Sequence, residues 1–87
     1  MSATPFAVQV DEAAAKTLAG LNQDVRELLV VALLEAAADP WGRAQRYHER
    51  MSPEIRLMEW GGGAGLAVYL IRPQLGTIVL MELTWVG

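Results

Sequence analysis

Hydrophobic positions along this chain alternate between two periods. From Pro5 to Val10, Phe6, Val8 and Val10 face one way and Ala7 and Gln9 the other, the two-residue period of a strand. From Glu12 the period lengthens. Asp11 stands where its carboxylate can cap a helix starting at Glu12. Ala14, Ala15, Leu18 and Ala19 recur at helical spacing, and Gly20 is expected to end that helix in a left-handed conformation. Asn22 then caps a second, longer helix running to about Ala38, with Val25, Leu28, Leu29, Ala32, Leu33 and Ala36 on one broad apolar face. Val30, Val31 and Leu34 carry the apolar surface around much of the cylinder, so a sheet, the first helix and a partner chain are all expected to cover it.

Asp39-Pro40 is a sharp break, and the segment Trp41 to Met51 reads as helix or as loop. If helical, it places Arg43, Arg46 and Arg50 on one face. After Ser52-Pro53 the strand period returns in Ile55–Trp60, Leu66–Arg72 and Thr77–Trp85, joined by the glycine-rich run 61–65 and by the turn 72–76. Short connections make these three an antiparallel meander, and the early strand is expected to join one of its edges. The predicted fold is therefore α+β, a single domain over 1–87 in the order β-α-α-β-β-β. A helical hairpin packs on one face of a four-stranded, mainly antiparallel sheet, and the opposite face is left open or given to a partner.

Composition sharpens that last point. Of the 87 residues, 53% are hydrophobic before glycine is counted, more than a small domain readily buries. An exposed apolar patch is expected, covered by another protein or by a second copy of the chain in a homo-oligomer; alanine-rich helices account for part of the excess. No cysteine is present, which removes disulfide and thiol chemistry. No apolar run is long enough to cross a bilayer, and residues 1–5 lack the character of a secretory signal, so a cytoplasmic location without membrane contact is expected.

A net charge of −3 argues against indiscriminate nucleic-acid binding. The charge is uneven, however. Acids dominate up to residue 42, whereas Arg43, Arg46, Arg50 and Arg56 crowd the middle around His48, Glu49 and Glu54. This cluster is either a grip for RNA phosphates or an acidic partner, or a solvated face of weak ion pairs. His48, with its near-neutral pKa, is the obvious acid–base group, and the alternative is an ordinary surface histidine. Glu59 and Glu82 could act as bases in a shared cleft, but strand alternation points them at solvent. Trp41 and Trp60 read as packing residues, and Trp85 is open to stacking on a base or a partner. The run 61–65 lacks the lysine and following helix of a phosphate loop and reads as a hairpin connection. Neither a cofactor nor a metal ion is called for.

Taken together, VDEAAAKTLAGLNQDVRELLVVALLEAAADP (10–40), IRLMEWGGGAGLAVYLI (55–71) and TIVLMELTW (77–85) resemble the RelE/ParE superfamily of toxin–antitoxin modules, over nearly the whole chain. The Asp-Pro closing the long helix and Tyr69 within the third strand match that pattern. The resemblance implies an antitoxin-like partner and one of two activities, ribosome-dependent cleavage of messenger RNA or poisoning of DNA gyrase. Metal-free RNA cleavage requires a base for the 2′-OH, cationic donors on the phosphate and an acid for the leaving oxygen. His48 and Arg56 are the catalytic candidates; Arg43, Arg46, Arg50 and Trp85 are candidates for holding RNA or a partner. The chain departs from the RNA-cleaving pattern at two places. Leu66 stands where an arginine is expected, and the last strand ends Thr84-Trp85-Val86-Gly87 without a basic group. Loss of one preorganised donor costs ~10²–10³ in rate. The expected function is thus a toxin-fold protein that works by protein binding without efficient RNA cleavage. The alternatives are a ribosome-dependent endoribonuclease and a non-toxic oligomerisation or regulatory module.

Overall fold

The computed structural model of the chain describes residues 4–47 and 50–87. Strand β1 (Ala7–Val10) ends at Asp11, whose carboxylate accepts the Glu12 N–H at 2.9 Å and so opens helix α1 (Glu12–Ala19). Gly20 departs from expectation. Its backbone is right-handed (φ −84°), and its N–H closes a tight last turn on Thr17 O at 3.1 Å. No left-handed residue is needed because the chain runs on directly through Leu21 into the next cap. There the Asn22 side chain accepts the Val25 N–H at 3.0 Å and starts α2 (Gln23–Ala38).

Beyond α2 residues 41–47 and 50–51 form no helix, and a two-residue strand β2 (Gln45–Arg46) lies among them. The arginine stripe of a helical reading therefore does not form. Strands β3 (Ile55–Trp60), β4 (Gly65–Arg72) and β5 (Thr77–Trp85) follow as an antiparallel meander. The sheet order is β1-β5-β4-β3-β2, with β1 parallel to β5. Among the described residues it thus has five strands rather than four; β2 is too short to leave a two-residue period in the sequence.

Residues paired across strands share a sheet face. Met58, Ala67, Leu83 and Tyr69, Leu80 and Ile71, Ile78 fill the face under the helices, where they pack on Leu29, Ala32, Leu33 and Ala36 of α2. On α1 only Ala14 is fully buried; Ala15 and Ala19 are exposed. The reverse face of the sheet carries Leu57, Leu66, Val68, Leu70 and Val79, flanked by Glu59 and Glu82, both exposed. A bulge between Val68 and Tyr69 leaves Met81 as the extra residue of β5, and so keeps Glu82 on that outer face. Among the described residues no helix is long and apolar enough to cross a membrane.

Candidate functional site

The loop after α2 is shaped from below by β3 and β4. Asp39 closes the helix, its N–H bonded to Glu35 O, while its carboxylate accepts the Gly42 N–H at 3.1 Å and its carbonyl the Arg43 N–H at 3.0 Å. These bonds fold 39–43 into a compact turn. Tyr69 rises from the buried face of β4 and donates its hydroxyl to Pro40 O at 2.6 Å. Burial pushes the phenol up to about 12, against the favourable field of Arg56 and Arg43 and with some help from Asp39.

Arg56, on the same sheet face, is committed to this loop. Its guanidinium donates to Pro53 O (3.3 Å), Trp41 O (3.0 Å) and Ala44 O (2.7 Å), and lies 5.7 Å from the centroid of the Trp41 ring. Arg46 sits directly across from Arg56 in the β2–β3 ladder, and its head group donates to Met51 O at 2.6 Å. Arg43 joins two elements. Its Nε pairs with Glu35 of α2 at 3.2 Å, and Nη2 caps the carbonyl of Glu59 at 3.3 Å, beyond the point where β2 stops covering the β3 edge. A cleft of about 410 Å³ opens here, lined by Gly42, Arg43, Ala44, Gln45, Leu57 and Glu59. At the other end of the loop the Ser52 hydroxyl donates to the Glu54 carboxylate and, with the Glu54 backbone N–H, holds that group below the usual carboxylate range.

Arg43, Arg46 and Arg56 are thus gathered around one loop, and Arg50 lies exposed on it. His48 and Glu49 lie outside the described residues. Trp85 is a partner of Trp60, the two indoles stacked at 4.8 Å and 26°. Both are in register with Gly65 of the intervening strand, where a Cβ would lie 2.3 Å from the Trp60 ring. Trp60 is buried as anticipated, but Trp41 is partly exposed and serves as a lid on Arg56. Glu59 and Glu82 stand on either side of β4, at different levels of the sheet. Among the described residues no group of three His, Asp or Glu side chains could hold a metal ion.

Two contacts escaped sequence reasoning. The Arg43–Glu35 pair spans a turn whose path the residues do not announce. The Tyr69–Pro40 bond had a signal: a tyrosine between Ala67 and Ile71 on an inner face must find a partner for its hydroxyl.

No protein-family model matches the sequence, and no curated protein matches it significantly. Solved structures do match. The isolated E. coli RelE toxin superposes with a TM-score of 0.77 at 19% identity, over 94% of this chain and 85% of RelE. The RelBE2 toxin–antitoxin complex of Mycobacterium tuberculosis gives 0.81 at 14% identity, over 94% of this chain and 92% of that one. The chain has the RelE toxin fold. The archaeal RelE–RelB complex of Pyrococcus horikoshii extends the likeness, at a TM-score of 0.68 and 14% identity, over 97% of this chain and 98% of that one. Sequence identities this low establish the RelE-like architecture alone.

Proposed function

We propose that this RelE-fold protein acts by binding protein partners, an antitoxin-like chain among them, and not by efficient RNA cleavage. The outer face of the sheet carries the argument. In β3, β4 and β5 its centre is aliphatic, Glu59 and Glu82 are the charges beside that centre with Arg72 at the far end of β4, and Leu66 stands directly between Glu59 and Thr84 in the ladder. Around Leu66 such a face offers acids, not cations, and does not stabilise charge on a phosphate. The arginines do not make up the deficit. Arg56 commits both terminal nitrogens to three backbone carbonyls, and Arg43 is shared between Glu35 and Glu59.

The structural neighbour from M. tuberculosis is a toxin–antitoxin complex and that from P. horikoshii a RelE–RelB complex, which supports a partner of antitoxin type here. That partner lies along the exposed aliphatic surface of α2 and the uncovered β3 edge, adding a helix or a strand there. The arginine loop and Trp85 border this region and belong to the binding surface. The cellular target is a protein, and DNA gyrase is the first to assay.

Induced expression in a bacterial host, with and without the product of the adjacent gene, tests the reading. Growth arrest with intact transcripts, relieved by that product, is the expected result. Ribosome-associated cut messages, abolished by Arg43→Ala or Arg46→Ala, would establish the endoribonuclease instead. Absence of any growth effect would favour the regulatory module.

A further inference from the structure

We infer that the partner's docking element on α2 is a cationic amphipathic helix; this inference rests on the protein-binding reading above. Leu28, Val30, Val31 and Leu34 are 49, 51, 55 and 63% exposed on a helix whose other side is already buried. They occupy two central turns, so the outer surface of α2 is apolar where a surface helix is ordinarily polar. Alongside Leu28 and Val31 runs a groove of about 270 Å³, bounded opposite by Trp60, Gly61 and Gly62 and closed at one end by the Glu35–Arg43 pair. Gly62 has open space where a Cβ would stand, which leaves that wall low enough for a helix backbone to approach.

The charges select the occupant. Asp24 and Glu27 stand at one end of the apolar stretch and Glu35 at the other, all exposed. Arg26 turns toward Gln23, and Arg43 balances Glu35 at one corner only. A second copy of the chain is a poor match. Antiparallel pairing of two α2 helices about Val31 sets Glu27 of each opposite Glu35 of the other, and parallel pairing sets each acid against itself. The chain as a whole is also at −3. An anionic bilayer or a nucleic acid meets the same repulsion. A helix with an aliphatic stripe flanked by lysine or arginine satisfies both the apolar centre and the acidic ends.

The test uses the full-length chain, isotopically labelled, titrated with three synthetic helical peptides. All share one leucine stripe and carry lysine, glutamine or glutamate at the flanking positions. The lysine peptide is expected to bind at least about tenfold tighter than the glutamate peptide, with a Kd that weakens as salt rises. Its amide shifts should map to α2 and to residues 60–62. Glu27→Lys combined with Glu35→Lys inverts the peptide preference, and Leu34→Gln weakens binding about tenfold while far-ultraviolet dichroism is unchanged. Equal binding of the three peptides, or shifts away from α2, would overturn the inference. So would a homodimer, seen by sedimentation, that Leu34→Gln dissociates. A neutralising neighbour that docks through an acidic or non-helical segment would remove this inference and leave the antitoxin reading standing.

Discussion

Tyr69 carries its hydroxyl into an apolar interior and gives it to one backbone carbonyl, that of Pro40. Tyr69→Phe is expected to cost about 1–3 kcal/mol, because Pro40 O is left buried without its donor; urea denaturation measures it. The pH dependence has a definite sign. Folded Tyr69 keeps its proton to about 12, whereas the unfolded chain loses it near 10.0. Stability from this group is therefore complete below pH 10 and falls as pH rises toward 12. A tyrosinate absorbance titration of the intact chain, less that of Tyr69→Phe, should show a component near 12. Arg56 offers a second residue-scale check. Lysine cannot serve Pro53, Trp41 and Ala44 together, so Arg56→Lys should lower stability by about 1–3 kcal/mol and speed amide exchange in the 41–47 loop. A variant as stable as the parent would show that these three bonds do not hold the loop. The arginine cluster was visible in the sequence as a local excess of charge. Its commitment to carbonyls was not, since the acceptors of Arg56 and Arg46 lie in loops whose path is set by the sheet beneath them, and Glu59 O is exposed to Arg43 only where β2 ends.

Among the elements, those legible in advance are the ones whose pattern repeats. β3, β4 and β5 each hold several cycles of alternation, and α2 has an unbroken buried row from Val25 to Ala37. Residues 40–47 have no repeat to read, because distant contacts from Arg56 and Tyr69 decide their path. Gly20 misled for a related reason: glycine permits a left-handed end but does not require one. The indole stack shows a glycine that is required. Gly65→Ala should place its methyl against the Trp60 ring, unstack Trp85 and cost about 1–3 kcal/mol, with a shift in tryptophan emission to report it. On the outer side of α2 the expectation is the opposite. Leu34→Gln removes an aliphatic group that packs on little, so its effect on stability should stay within about 0.5 kcal/mol by urea denaturation.

For the whole molecule, the sequence gives the RelE-like layering of helices on a sheet because that arrangement follows from element order. Function is less legible, because it depends on which charges reach which face. Around Leu66 the outer face of the sheet is aliphatic and acidic where a phosphate-binding surface would be basic, and its cation, Arg72, stands at the far end of β4. Restoring one cation should not change that: an arginine introduced by Leu66→Arg would stand opposite Glu59 and pair with it. The most direct test of the central claim is a map of new 5′ ends on messenger RNA in a reconstituted translation reaction, with purified protein added in excess over ribosomes. Transcripts that stay intact are the predicted result. Discrete cuts at codons occupying the ribosome would contradict the account.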